Sequence, residues 1–274
     1  MRVVWLWAVL AGLLAVLTGP RAMDEDLGRR ARALIGEHPE IWSGARTFPG
    51  ERSLVVGAPG AAVADLADLA RRADRASALV ARVVGPVRPL VLVPATTAQA
   101  AVLAAPASVN GLAAVAGADR VIVEPRSFAR LSGVGRDVVL AHEITHIATG
   151  AALDGGTPKW LVEGFADYVG YRDAGVPARR AAAELAGEVR AGRLPVALPG
   201  RDAFAAGSAR LAQAYEEAWL ACRYVAGRFG ERALSTLYRE SRGGDVRAAL
   251  SRTLRMSPAE FTAAWREYVR DQLG

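Results

Sequence analysis

Three residue types that often decide a function are nearly missing from this chain of 274 residues. A single cysteine, Cys222, excludes an internal disulfide framework and any cysteine-based zinc cluster. A single lysine, Lys159, leaves the basic side chains almost entirely to arginine. Histidine occurs three times, as His38, His142 and His146. Acids and bases are also close to balance, with 34 Lys+Arg against 28 Asp+Glu and a net charge of +6. The arginines stand singly or in pairs with acids between them, as in Asp65, Asp68, Arg71, Arg72, Asp74 and Arg75, so no basic stripe forms and nucleic acid is not an expected partner. Charged residues make up 23% and hydrophobic residues 52%, which excludes a disordered, collagen-like or multi-span membrane chain and leaves enough apolar side chains for a core without staples.

What is present divides into three parts. Residues 1–22 carry the uncharged run Val3–Thr18, long for a signal-peptide core and short of the roughly 20 residues of a spanning helix. The run is expected to act as an export signal or as a membrane tether, placing the rest of the chain outside the cytoplasm. Residues 23–50 are polar, punctuated by glycine and proline, and read as a short helix and a connector. Residues 51–274 form the main domain, with one lobe over about 51–150 and a helical lobe over about 151–274. Strands are expected at Ser53–Val56, Leu90–Val93, Leu112–Ala116 and Arg120–Glu124. Helices are expected at Ala61–Val84, whose Val63, Leu66, Ala70, Ala73, Val80 and Val83 share a face, and at Thr97–Leu103. From Gly135 onward the pattern is helical. The last helix opens on a capping box, Ser257 with Glu260, and proline at its first turn, with Phe261, Trp265 and Tyr268 apolar.

Two segments carry chemistry. In Val138–Gly150, His142 and His146 lie four residues apart and therefore on one helical face, the spacing at which two imidazoles hold one zinc ion. Glu143, between them, is placed to act as general base on a water at that metal. The apolar neighbours Val138, Val139, Leu140, Ile144 and Ile147 mark the helix as buried, where unsatisfied titratable groups are costly. In Thr157–Tyr171, Thr157 and Pro158 are expected to open a helix that carries Glu163 and Asp167 on one face. Glu163 can supply a third ligand, leaving a fourth position for water, and Asp167 can accept the free ring N–H of a ligating histidine. Gly164 is expected to let the two helices come close.

The combination of His142-Glu143-Ile144-Thr145-His146 with Trp160-Leu161-Val162-Glu163-Gly164-Phe165-Ala166-Asp167-Tyr168, and more loosely the helix from Ala214 to Gly230, resembles the gluzincins, the thermolysin-like clan of zinc metallopeptidases. The likeness is specifically to the small bacterial peptidase MA-like domains and spans about Leu54 to the C-terminus. It implies an α+β, zincin-like fold: a mixed β-sheet with helices, a central HExxH helix and a helical C-terminal lobe. It implies zinc held by His142, His146 and Glu163, with Asp167 behind a histidine and Glu143 as catalytic base in peptide-bond hydrolysis.

In the aminopeptidase branch a tyrosine opening a Y-E-x-G helix serves the oxyanion. Tyr215, followed by Glu216, resembles it, although Ala218 stands at the usual glycine, and Tyr168 and Tyr171 compete for the role. The branch also carries an acid on an edge strand for the substrate amino terminus. Gly111–Gly117 contains none, which favours internal cleavage of a peptide or protein substrate over aminopeptidase action. The rival expectation is a non-catalytic, zinc-stabilised extracytoplasmic binding module. Oligomeric state is open.

Overall fold

A computed structural model describes residues 20–274, the first five through their backbone alone. Helices α1 (Pro20–Glu37) and α2 (Pro39–Trp42) lead into strands β1 (Arg46–Pro49) and β2 (Leu54–Gly57). Next come α3 (Val63–Val83), β3 (Leu90–Val93), α4 (Thr97–Ala104), β4 (Ala114–Ala116), β5 (Arg120–Val123) and α5 (Pro125–Arg130). The rest is helical: α6 (Gly133–Thr149), α7 (Lys159–Tyr171), α8 (Ala178–Ala181), α9 (Ala183–Arg190), α10 (Leu211–Phe229), α11 (Glu231–Ser241), α12 (Val246–Leu254) and α13 (Pro258–Leu273), with short 3-10 turns at Ala151–Leu153 and Arg201–Phe204. The architecture is therefore α+β and mostly helical.

The five strands form one mixed sheet in the order β1-β2-β3-β5-β4. Strands β2, β3 and β5 run parallel at its centre, with Val55 opposite Val91 and Val91 opposite Val121. The edges β1 and β4 are antiparallel to their neighbours. Central strands covered on both faces need apolar side chains on both, and these have them. Val55, Val91, Val121 and Val123 point into the larger core with α3, α6 and the helical lobe. The intervening Val56, Leu90, Leu92 and Ile122 point to the opposite face, where Leu34, Ile41, Trp42 and Ala100 cover them. Full burial of each large side chain contributes on the order of 2 kcal/mol.

The expected strands and the long helices are present at nearly their expected limits. The difference lies at the start. Residues 23–50 contribute a strand and two helices packed on the sheet, and Arg30 reaches Asp119 Oδ2 at 2.9 Å. On α3, Val63 is 53% exposed because it opens the helix, whereas the rest of its expected face is buried or packed on the core. The capping box at Ser257 forms as expected, and Phe261, Trp265, Val269 and Leu273 make the buried stripe, with Tyr268 at its margin.

One expectation is corrected. Among the described residues no helix is long and apolar enough to cross a membrane. The run Val3–Thr18 lies outside the described residues, and the helix that follows carries Glu25, Asp26, Arg29, Arg30 and Arg32, charges that a hydrocarbon environment opposes. The extracytoplasmic placement through an N-terminal signal or anchor has no described element behind it and is withdrawn.

Candidate metal centre

Helix α6 is set at both ends by local chemistry. The Ser132 hydroxyl accepts from the Gly135 N–H at 3.1 Å, and Gly150 closes the helix in the left-handed region (φ 68°), its N–H bonding the carbonyls of His146 and Ile147. Arg72 of α3 fastens the first turn, donating to Asp137 Oδ1 at 2.8 Å and to the Gly133 carbonyl at 3.1 Å. Between these ends His142 and His146 project from one face, with ring centroids 4.6 Å apart and nearly perpendicular.

Helix α7 brings Glu163 across them. The two Nε2 atoms are 3.0 Å apart, and Glu163 Oε2 lies 3.3 Å from one and 3.4 Å from the other. A tetrahedral ion with bonds of 2.0–2.1 Å spans donor–donor edges of about 3.3–3.4 Å. The two separations to Glu163 match such an edge, and the one between the histidines, 3.0 Å, is a little shorter. The three donor atoms thus approximate one face of a tetrahedron, and the group could hold a metal ion. Two imidazole nitrogens and a carboxylate oxygen aimed at a common centre, with Glu163 only 4% exposed, fit a cation between them.

Neighbouring groups fix each donor. His142 Nδ1 lies 2.7 Å from Asp167 Oδ1; with the ring proton donated there, Nε2 presents its lone pair to the centre. Burial opposes a charge on His142, but Asp167, Glu163 and Glu143 outweigh it and raise its pKa well above the ordinary value. Burial likewise opposes the Glu163 carboxylate, yet His146 and His142 hold it well below the usual carboxylate range. Lys159 Nζ pairs with the second oxygen, Oε1, leaving Oε2 for the centre. This lysine is a partner the sequence reading missed. The signal was its spacing of four residues from Glu163 on the same helix.

Glu143 is buried beside the two histidines. Burial raises its pKa, against the pull of His142 and His146, and the Ala116 N–H of strand β4 faces its carboxylate. Tyr215, on α10, stands over the same face. Its ring centroid is 6.4 Å from that of His142, and Phe204 packs edge-on against it at 5.3 Å. Burial first, then the charges of Glu163, Asp167 and Glu143, push its phenol pKa up, so the hydroxyl stays a donor. Its two competitors turn elsewhere: the Tyr168 hydroxyl donates to Glu231 Oε2 at 2.9 Å, and Tyr171 packs on Trp219 at 5.1 Å. His38 pairs with Glu40 near α2 and takes no part.

Two local expectations come out differently. Thr157 does not cap α7; its hydroxyl donates to Asp154 Oδ2 at 2.6 Å, and Pro158 precedes the helix. Gly164 brings α7 close to α10 rather than to α6: a Cβ there would meet the Ala218 carbonyl oxygen at 2.2 Å. The approach of α7 to α6 falls to Gly170, where a Cβ would meet the Val138 carbonyl oxygen at 2.9 Å. In Gly111–Gly117 the acid-free stretch forms β4, a sheet edge beside α6. The acid that follows β5, Glu124, is committed to capping α5 through Arg126 and Ser127 and to the Thr97 hydroxyl at 2.6 Å.

No protein-family model matches this chain, and no curated protein matches it.

Proposed function

We propose that the chain is a zinc-dependent metallopeptidase with a zincin-like fold, similar to the gluzincins, that cleaves internal peptide bonds. The observation that carries the reading is the donor triangle of 3.0, 3.3 and 3.4 Å with a buried glutamate, Glu143, next to the first histidine. A purely structural metal site has no need of that glutamate.

In this reading His142, His146 and Glu163 hold the ion, and Asp167 and Lys159 keep two of those side chains in register. A bound zinc ion supplies Lewis-acid activation of water and of the scissile carbonyl. Glu143 takes the proton from the attacking water and delivers it to the leaving amine. The Tyr215 hydroxyl donates to the carbonyl oxygen as negative charge gathers there. Strand β4 pairs only with β5 among the described residues, so its outer side offers backbone groups to an extended substrate.

Purified protein assayed on an unstructured protein substrate, with metal content measured on the same sample, tests the proposal. About one zinc per chain is expected, with hydrolysis lost on chelation, restored by zinc and abolished in Glu143→Gln. Zinc at that stoichiometry without hydrolysis would assign the chain to the binding modules instead.

A further inference from the structure

Beyond the metal centre, α7, the second half of α10 and the face of α13 line an open pocket of about 530 Å³, within the size range of small-molecule sites. Its charged groups are unequally engaged. Glu231 is committed: it accepts from Arg172 Nε at 2.7 Å and from the Tyr168 hydroxyl at 2.9 Å. Arg172 is committed in turn, since it also binds Asp173. Arg223 is different. It lies half-buried with its guanidinium 4.9 Å over the Trp219 ring, and no carboxylate among the described residues pairs with it. Trp219 is itself buried and packed against Tyr171, so the guanidinium rests over a fixed aromatic ring. Tyr171 and Tyr268 add two phenol hydroxyls that make no hydrogen bond among the described residues.

We propose that this pocket is a binding site for a small aromatic monocarboxylate, separate from the metal centre. One uncommitted guanidinium, packed over the Trp219 ring, matches one carboxylate through paired N–H donors. A dianion would call for a second free cation, and Arg172 is already neutralised by Glu231 and Asp173. The Tyr168 and Tyr268 rings that line the pocket supply apolar surface for a flat body, and the Tyr268 phenol, beside Arg223, supplies a further donor to the carboxylate.

Fluorine NMR of para-fluorobenzoate titrated with the full chain tests this, with the neutral isostere para-fluorobenzamide alongside. Chelator is present throughout, so that a metal ion cannot recruit the carboxylate. The expected result is concentration-dependent broadening of the benzoate signal, weak or absent for the benzamide, and affinity at least about tenfold lower in Arg223→Gln. The benzoate–benzamide comparison needs no variant and holds even if Arg223→Gln fails to fold. Equal binding of the two probes, unchanged affinity in a folded Arg223→Gln protein, or no benzoate binding at millimolar protein each overturns the proposal. None of these outcomes bears on peptidase activity, which is read separately.

Discussion

Replacing Gly164 by alanine puts a methyl group in place of a hydrogen at the crossing of α7 and α10, and the structure gives that carbon no room. An ideal Cβ lies 2.2 Å from the Ala218 carbonyl oxygen, 2.5 Å from its carbonyl carbon and 3.0 Å from Cys222 Sγ. An ordinary carbon–oxygen contact is about 3.3 Å, so the helices must separate by about 1 Å, and a backbone carbonyl inside a buried helix has no rotamer by which to yield. Overpacking of this kind costs about 1–3 kcal/mol, while the helix preference of alanine over glycine returns up to about 1 kcal/mol. The expected net loss is about 1–2 kcal/mol, or roughly 2–4 °C in Tm for each kcal/mol in a domain of this size. Glu163 sits one residue away, and a movement of 1 Å is large against donor separations of 3.3 and 3.4 Å, so zinc affinity should fall as well. Gly187→Ala is the matched control. That glycine lies within α9 with nothing inside 4 Å of the added carbon, so the same substitution should stabilise by about 0.5–1 kcal/mol. Urea unfolding midpoints for the three proteins, with zinc affinity measured by competition against a chromophoric chelator, give both readouts. If Gly164→Ala unfolds with the parent and keeps its zinc affinity, the close approach of α7 and α10 does not hold the centre together.

Glu143→Gln should retain metal and lose at least about 10²-fold in turnover, read from initial rates on a peptide substrate beside elemental analysis. Tyr215→Phe should lower kcat with little change in KM, because in the proposed mechanism its hydrogen bond strengthens as the oxyanion forms; an unchanged kcat would remove Tyr215 from that mechanism. Asp167→Asn should weaken zinc binding about 10–100-fold by releasing the His142 ring, and excess zinc should recover part of its activity but none of that lost in Glu143→Gln. Glu124, whose carboxyl is held at about 2 because its hydrogen bonds from Thr97, Ser127 and Arg126 overcome burial, should reveal itself in acid. A carboxyl depressed in the folded state stabilises fully above its ordinary value of 4.5 and loses that contribution as pH falls through about 2. Glu124→Gln should therefore cost about 1–2 kcal/mol near neutrality and progressively less below pH 4.5, measured as urea midpoints across pH.

Much of this architecture is readable from short-range pattern. The runs Leu90–Val93 and Arg120–Val123 are brief, β-branched and bounded by breakers, and the structure places strands there. The four-residue spacing of His142 and His146 needs only helix geometry to become a shared face. Strand β1 was not legible, because Arg46–Pro49 has no apolar alternation and ends on proline, which an edge strand tolerates where a central one does not. The role of Gly164 was misassigned for a related reason. A glycine beside Glu163 announces that some backbone comes near, but which helix arrives is a tertiary fact, and here it is α10. Thr157 before Pro158 has the pattern of a helix cap, yet Asp154 three residues earlier competes for its hydroxyl and takes it.

The division of labour between the glycines of α7 explains why a site drawn from three helices can be rigid. Gly170 lets α7 lie against α6, which sets Glu163 and Asp167 opposite the two histidines, while Gly164 lets α10 lie against α7, which brings Tyr215 over His142. Each contact is backbone against backbone, with no long side chain between to change rotamer. Side chains fixed in this way move only if whole helices move, and those helices are anchored in the core by Leu140, Ile144, Leu161, Phe165, Leu220 and Val225. The loop Gly150–Gly156, which carries none of the donor atoms, can therefore vary in sequence without disturbing the centre, provided Gly150 still ends α6, Asp154 still orders the approach to α7 and Gly156, where a Cβ would meet the Arg242 carbonyl oxygen at 2.4 Å, is kept. The chemistry resides in side chains, but their mutual distances are set by where two residues have none.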